Sequence, residues 1–146
     1  MSFVLDASTA LAWCFRDEDD ALAAAALDRL ADDEAWVPAI WSLEVANALL
    51  GAERRKRITA AAASNAMRLL LDLPIVPDPS ERARDFEVTW RLARTHRLST
   101  YDSAYLELAI RLGLPLVTLD AQLRAAAATE GLPAFEYSRR ERSCIS

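Results

Sequence analysis

Four acidic residues occur at positions where a charged carboxylate should destabilise the fold unless it has a chemical role. Asp6 and Asp120 each follow a short apolar run. Glu44 lies in a helical stretch that is apolar nearly all round, and Asp102 falls near the start of another helix. An isolated buried carboxylate is unfavourable, so each should be paired, bound to metal or placed at a cleft. Because no His or Cys accompanies them at ligand spacing, they favour a hard cation held by oxygen, Mg²⁺ or Mn²⁺.

Simpler roles remain open for the same four side chains. Asp6 and Asp120 could cap the helices that follow them, and Asp102 could complement a helix dipole. Glu44 could form a buried ion pair with one of the many arginines. The sequence leaves open both these roles and a site that the four side chains share.

Two polar neighbours could orient the acids. Thr118 lies two residues before Asp120, which places both on the same side of a strand. Asn47 follows Glu44 by three residues, so the two share one face of a helix.

Short apolar runs alternate along the chain with longer helical stretches. The runs are bounded by turn residues and predict five strands, Phe3–Leu5, Ala35–Val37, Leu73–Val76, Leu116–Leu119 and Ala134–Tyr137. Helices are predicted over Ala21–Leu30, Ala39–Gly51, Thr59 to about Leu71, Ser80 to about Arg94, and from Ser99 or Thr100 onward. The apolar composition of the second of these helices predicts that it is buried.

A Gly-Leu-Pro sequence occurs twice, at Gly113 and Gly131, each time after a helical stretch and before a predicted strand. Glycine can end a helix in the left-handed conformation, and a proline shortly after it prevents the helix from continuing. The repeated sequence therefore indicates two consecutive αβ units and hence a parallel sheet. Ligands of such sheets bind beyond the carboxyl ends of the strands. Asp6 and Asp120 both stand at such ends, so we expect them to share one edge of the sheet.

The composition is that of an ordinary globular protein. The 146 residues are 53% hydrophobic and 27% charged, which fits one folded domain rather than a disordered chain. We predict a single domain over residues 1–138 and a C-terminal tail, 139–146, that need not be ordered. No apolar run approaches the roughly 20 residues needed to cross a bilayer, so we expect a cytoplasmic protein without a membrane partner.

Charge and residue counts exclude several functions. The net charge of −5 argues against nucleic-acid binding by bulk electrostatics, although cations bound at an acidic site could offset it. One histidine, His96, and two distant cysteines, Cys14 and Cys144, make a His-based triad or a zinc site improbable. The only lysine, Lys56, is misplaced for a phospho-receiver domain. Ser8 stands where a haloacid-dehalogenase-type phosphatase needs its second Asp. The 3 glycines form no phosphate-binding loop.

The acidic residues lie in four short segments that resemble the PIN-domain family, most closely the VapC toxins of bacterial type II toxin–antitoxin systems. The segments are Val4-Leu5-Asp6-Ala7-Ser8, Glu44-Val45-Ala46-Asn47-Ala48-Leu49, Thr100-Tyr101-Asp102-Ser103-Ala104-Tyr105 and Leu116-Val117-Thr118-Leu119-Asp120. Each is short, but the ordered set spans nearly the whole chain. The resemblance implies an α/β protein with a PIN-like three-layer α/β/α domain and a central parallel sheet of about five short strands.

The resemblance also implies a function, that of an Mg²⁺- or Mn²⁺-dependent endoribonuclease. Its acidic metal-binding and catalytic residues match Asp6, Glu44, Asp102 and Asp120, and its supporting hydroxyls match Ser8 and Thr118. Hydrolysis of RNA in this family is expected to leave a 5′-phosphate and a 3′-hydroxyl, and no protein general base is required.

The expected partners are an RNA substrate, a cognate VapB-type antitoxin and a second copy of the chain. The basic run Arg54, Arg55, Lys56 and Arg57 could grip RNA phosphates beside the metal site, or could simply be a solvated helix end. The acidic run 17–20 is typical of solvated loop charges. A different function also remains open, that of a catalytically idle PIN-like module whose acidic cleft binds arginines of a protein partner.

Overall fold

The computed structural model describes residues 1–15 and 17–138. The predicted tail, 139–146, lies outside the described residues, and the division of the chain into one domain and a tail stays a prediction. The elements are, in chain order, β1 (Phe3–Leu5), α1 (Ala7–Cys14), α2 (Ala21–Arg29), β2 (Ala35–Pro38), α3 (Trp41–Arg54), α4 (Ala60–Leu71), β3 (Ile75–Asp78), α5 (Arg82–Arg84), a π-helical turn (Asp85–Thr89), α6 (Trp90–His96), α7 (Thr100–Leu112), β4 (Leu116–Val117) and α8 (Ala121–Thr129).

The strands form one parallel sheet in the order β3-β2-β1-β4, with helices connecting them. Strand β1 is in the interior of the sheet, paired with β2 through Phe3 and Ala35 and with β4 through Leu5 and Val117. All three residues of β1 are fully buried, as expected for a parallel strand covered on both faces. This confirms the predicted α/β class with a central parallel sheet.

The fifth predicted strand is wrong, because residues 134–137 form no strand. The ring of Phe135 instead packs edge-on against Phe3, with 5.2 Å between ring centroids. The backbone carbonyl of Glu136 accepts a hydrogen bond of 2.6 Å from Arg29 Nη2. Arg29 therefore satisfies a backbone carbonyl that, in a strand, would have bonded to the neighbouring strand.

The helix that carries Glu44 is less buried than its composition predicts. Trp41, Val45 and Leu49 of α3 face the core, whereas Leu43 is 68% exposed and Leu50 is 41% exposed. The expectation of a helix buried all round is therefore wrong, and α3 has an apolar surface facing outward.

Capping residues determine where two of the helices begin. Thr59 accepts a hydrogen bond from the backbone N–H of Ala62, and Ser99 accepts one from that of Asp102, as their positions before the helices predict. Gly113 ends α7 in the left-handed conformation, with φ of 66°, which glycine adopts without strain. No helix within the described ranges is long and apolar enough to cross a membrane.

Candidate active site

Asp6 lies at the carboxyl end of β1 and is 5% exposed. It occupies the N-cap position of α1, but its side chain makes no capping hydrogen bond. Its Oδ2 instead accepts hydrogen bonds from Ser8 Oγ at 2.6 Å and from Thr118 Oγ1 at 2.7 Å. The carboxylate of Asp6 therefore does not cap α1, and its partners are the hydroxyls of Ser8 and Thr118.

The two hydroxyls that bind Asp6 are themselves held by the backbone that leads to Asp120. Ser8 Oγ accepts a hydrogen bond of 3.0 Å from the N–H of Leu119, and Thr118 Oγ1 accepts one of 3.0 Å from the N–H of Asp120. Each hydroxyl thus donates to Asp6 and accepts from the chain after β4. This hydroxyl network fixes the carboxyl ends of the two neighbouring strands relative to each other.

Asp120 performs the capping role that its position suggested. Its Oδ1 accepts a hydrogen bond of 2.8 Å from the N–H of Leu123 and so caps α8. Its charge also raises the pKa of Asp6 and of Asp102, which places Asp120 within electrostatic range of both. Capping and membership of the acidic cluster are compatible for this side chain.

Glu44 is oriented by a residue that the sequence reasoning missed. The hydroxyl of Tyr105, on α7, donates a hydrogen bond of 2.7 Å to Glu44 Oε1. Tyr105 is fully buried. A buried tyrosine hydroxyl usually has a hydrogen-bond partner, and this requirement is the one feature of the sequence that could have indicated the contact with Glu44. Asn47 was expected to orient Glu44, but it is exposed, and no hydrogen bond joins the two in the described part of the chain.

The acids raise one another's pKa. Burial raises the pKa of Asp6, Glu44 and Asp102, in each case as the largest cause. The negative charges of Asp6 and Asp102 raise the pKa of Glu44 further, and those of Asp6 and Asp120 do the same to Asp102. The four side chains therefore share one electrostatic environment, although they come from four separate segments of the chain.

No protein cation neutralises this acidic cluster in residues 1–15 and 17–138. The ion pairs found there involve other carboxylates, and the buried pair with arginine that was open for Glu44 is not among them. Carboxylates that are partly buried, mutually repelling and unpaired favour the binding of an external cation.

The donor set of this cluster fits a divalent cation. Its oxygen atoms come from carboxylates and hydroxyls, which Mg²⁺ and Mn²⁺ prefer. Within the described ranges, no three His, Cys, Asp or Glu side chains are grouped closely enough to ligate a single ion. Mg²⁺ is commonly held by only one or two carboxylates, with water and substrate phosphate completing its shell. One or two of Asp6, Glu44, Asp102 and Asp120 would hold such an ion here, and the others would attract it through their charge.

Removing the Thr118 hydroxyl should weaken cation binding. Valine at this position keeps the shape of the buried side chain but leaves Asp6 with one hydroxyl donor instead of two. Groups that orient a metal ligand commonly contribute about 10- to 100-fold in affinity, so the Kd of Thr118→Val for Mn²⁺ should rise by that factor. Titration calorimetry measures it, and Thr118→Ser, which keeps the hydroxyl, is the matched control. Equal affinity in both variants would refute the orienting role.

The basic run at the end of α3, residues 54–57, is only partly available for a ligand. Arg57 Nη2 contacts Glu18 at 2.9 Å and Asp17 at 3.2 Å, and its guanidinium lies over the ring of Phe15 at 4.0 Å. The acidic loop is therefore not simply solvated. Arg54 and Arg55 are exposed. Their role in RNA binding stays a prediction.

Unpaired acids beyond the carboxyl ends of parallel strands lie where sheets of this kind bind their ligands. The family model of the PIN domain matches residues 3–129. The chain therefore belongs to the PIN family, whose members are generally nucleases and usually use divalent metal ions.

A solved structure gives the same fold. The chain is 26% identical to PAE2754 from Pyrobaculum aerophilum, with a TM-score of 0.64, over 86% of this chain and 79% of the other. No curated protein matches the chain significantly.

Proposed function

We propose that this protein is an Mg²⁺- or Mn²⁺-dependent endoribonuclease that hydrolyses RNA phosphodiester bonds. One observation carries the proposal, the grouping of Asp6, Glu44, Asp102 and Asp120 without a protein cation among the described residues. A cluster of this kind is unfavourable for stability and is explained by a role in binding cations and phosphate.

The protein positions two of these acids through hydroxyl groups. The hydroxyls of Ser8 and Thr118 hold Asp6 at the end of β1, and the hydroxyl of Tyr105 holds Glu44 on α3. A divalent cation held by these acids would supply positive charge, which would stabilise the phosphoryl oxygens and lower the pKa of a bound water. These hydrogen bonds fix Asp6 and Glu44 before a substrate binds, which reduces the reorganisation needed when charge develops on the phosphate.

The purified protein should cleave single-stranded RNA in Mg²⁺ or Mn²⁺ and should be inactive in EDTA. The products should carry a 5′-phosphate and a 3′-hydroxyl, which sequencing of the cleaved ends detects. Asp32→Asn is a matched control, since Asp32 is an exposed carboxylate outside the acidic cluster. RNA that stays intact in both metals, or that is cleaved equally in EDTA, would refute the proposed activity.

We further propose that the nuclease is the cytoplasmic toxin of a VapC-type toxin–antitoxin pair, held inactive by a VapB-type antitoxin and acting as a homodimer. An apolar groove of about 530 Å³ between α3 and α4, bordered by Leu43 and by Leu71, which is 84% exposed, supports the expectation of a protein partner. Expression of the chain alone in bacteria should arrest growth if it is such a toxin. Normal growth with active nuclease in the cell would refute the toxin role and leave the nuclease activity standing.

The alternative is a catalytically idle module whose acidic cleft binds arginine side chains of a partner. The same unpaired carboxylates support it, because they could accept bidentate hydrogen bonds from a guanidinium. The cleavage assay separates the two functions, since only the nuclease breaks RNA in a metal-dependent way.

A further inference from the structure

A second cavity, of about 480 Å³, has three exposed aromatic rings in its wall. Phe86 is 72% exposed, Tyr101 is 60% exposed and Trp90 is 49% exposed. We call these three residues the ring cluster. Exposed apolar groups gathered at one place indicate a binding site, and the volume lies within the range of about 300–1,000 Å³ that is usual for small-molecule pockets.

The rings of the ring cluster do not pack on one another. The aromatic pairs found in residues 1–15 and 17–138 are Phe3 with Phe135 and Phe135 with Tyr137. The three rings therefore border a shared space rather than filling it, and a ligand in that space could contact more than one of them.

The wall of this cavity has more negative than positive charge. Asp78, Asp85 and Glu107 line it, together with one cation, Arg84. Arg84 lies 3.2 Å from Asp78 and 3.6 Å from Glu107, so its charge is already neutralised within the wall. The cavity therefore offers no free positive charge to an anionic ligand.

Asp85 is the wall carboxylate that is left over. Arg111, outside the wall, also pairs with Asp78 at 2.7 Å and with Glu107 at 2.8 Å. Asp85 is exposed and takes part in none of the ion pairs found in the described ranges. One free carboxylate does not suit a hard metal ion, which takes several oxygen ligands. One carboxylate beside three rings suits an organic cation, because the faces of aromatic rings attract weakly hydrated positive charge.

Trp90 shows that a ring of this cluster accepts a cation. The guanidinium of Arg94 lies over its ring, 5.4 Å from the centroid. Arg94 does not line the cavity, so it leaves the part of the indole that borders the cavity to a ligand.

We propose that the ring cluster and Asp85 form a binding site for a small organic cation with a weakly hydrated charged group, such as a quaternary ammonium. The rings contact the apolar surface of the cation, and the carboxylate of Asp85 balances its charge. None of the four acids of the candidate active site lines this cavity, so the site is separate from the one proposed for metal and does not depend on the nuclease function.

Titration of the ¹⁵N-labelled full chain with choline, followed by amide NMR shifts, tests this site. Choline should shift residues of the cavity wall. Its neutral isostere, 3,3-dimethylbutan-1-ol, has the same shape without the charge and should bind about tenfold more weakly. Phe86→Ala, Trp90→Ala and Tyr101→Ala should each weaken choline binding by about 3- to 30-fold, the effect of losing one contact between a cation and a ring. Trp90→Phe keeps a ring and should retain most of the affinity.

A matched pair of variants tests the charge. Asp85→Asn should weaken choline binding by about two- to fivefold, as expected for an exposed charge pair. Glu87→Gln is the control, because Glu87 is an exposed carboxylate of the same π-helical turn that does not line the cavity. This variant should bind choline as wild type does.

Several results would overturn the cation site. Equal affinity for choline and for its neutral isostere would mean that the cavity is only an apolar pocket. Unchanged choline binding by all three alanine variants, or equal losses in Asp85→Asn and Glu87→Gln, would also refute it. If choline does not bind and sedimentation shows that the alanine variants lose self-association, the ring cluster is a protein interface instead. Choline binding without metal-dependent RNA cleavage would remove only the nuclease function, and cleavage without choline binding would remove only this inference.

Discussion

Replacing Asp102 with asparagine should reduce RNA cleavage in Mg²⁺ by about a thousandfold and should also make the metal-free protein more stable at pH 7. The loss follows because groups that merely orient a metal ligand contribute about 10- to 100-fold, and a ligand itself should contribute more. The gain follows because burial and the charges of Asp6 and Asp120 raise the pKa of Asp102. An uncharged isostere removes this repulsion.

The pH dependence of the stability gain has a definite sign. A carboxyl whose pKa is higher in the folded than in the unfolded protein stabilises the fold below its unfolded pKa, and that contribution is lost as the pH rises through the folded pKa. The difference in Tm between Asp102→Asn and wild type should therefore be small near pH 4 and grow toward pH 7. Thermal denaturation in EDTA across this range measures it.

Two controls make the Asp102 result interpretable. Asp32→Asn removes an exposed charge outside the acidic cluster and should change neither cleavage nor the pH dependence. Adding Mn²⁺ should raise the Tm of wild type more than that of Asp102→Asn, since the variant has lost one of the acids that attract the cation. An Asp102→Asn protein that cleaves RNA at the wild-type rate would exclude Asp102 from the site.

Replacing Phe3 with alanine should destabilise the protein by about 3–5 kcal/mol, the usual effect of truncating a buried phenylalanine. Phe3 is fully buried in β1 and belongs to the main hydrophobic core. For a domain of this size the Tm should fall by roughly 10–16 °C. Chemical denaturation with urea measures the free energy of unfolding directly.

The partner ring gives the comparison for Phe3. Phe135→Ala should cost less, because Phe135 is only partly buried and lies in a segment without secondary structure. The double variant should be more stable than the sum of the single effects predicts, by about 0.5–1.5 kcal/mol for an edge-on aromatic pair. Strict additivity would mean that the contact between the two rings adds nothing beyond the burial of each.

The parts of the site that could be predicted from the sequence are those defined by local order along the chain. The proximity of Asp6 and Asp120 could be predicted because each follows a strand, and parallel strands bring their carboxyl ends to one edge of the sheet. Contacts between distant segments could not be predicted in the same way. The partner of Glu44 is Tyr105, 61 residues later, and its ring also fits an ordinary apolar helix stripe.

Two surface features show the same limit of local reasoning. Asp17 and Glu18 read as solvated charges, but Arg57, some 40 residues on, binds both of them. Phe86 and Trp90 are four residues apart, a spacing that is typical of a buried stripe, yet both are exposed. Whether an apolar helix face is covered depends on the elements packed beside it, and these are fixed by the tertiary fold.

The hydroxyl network has a consequence for how the protein is made. Thr118 and Asp6 are separated by 112 residues in the chain, so their contact closes a very long loop. A chain leaving the ribosome exposes its N-terminal part first, and β1 has no neighbour on one side until β4 has been synthesised. Until then the nascent chain carries an open sheet edge and an Asp6 without its Thr118 donor. During synthesis, closure of the sheet and completion of the acidic cluster therefore both have to await β4 and the residues that follow it.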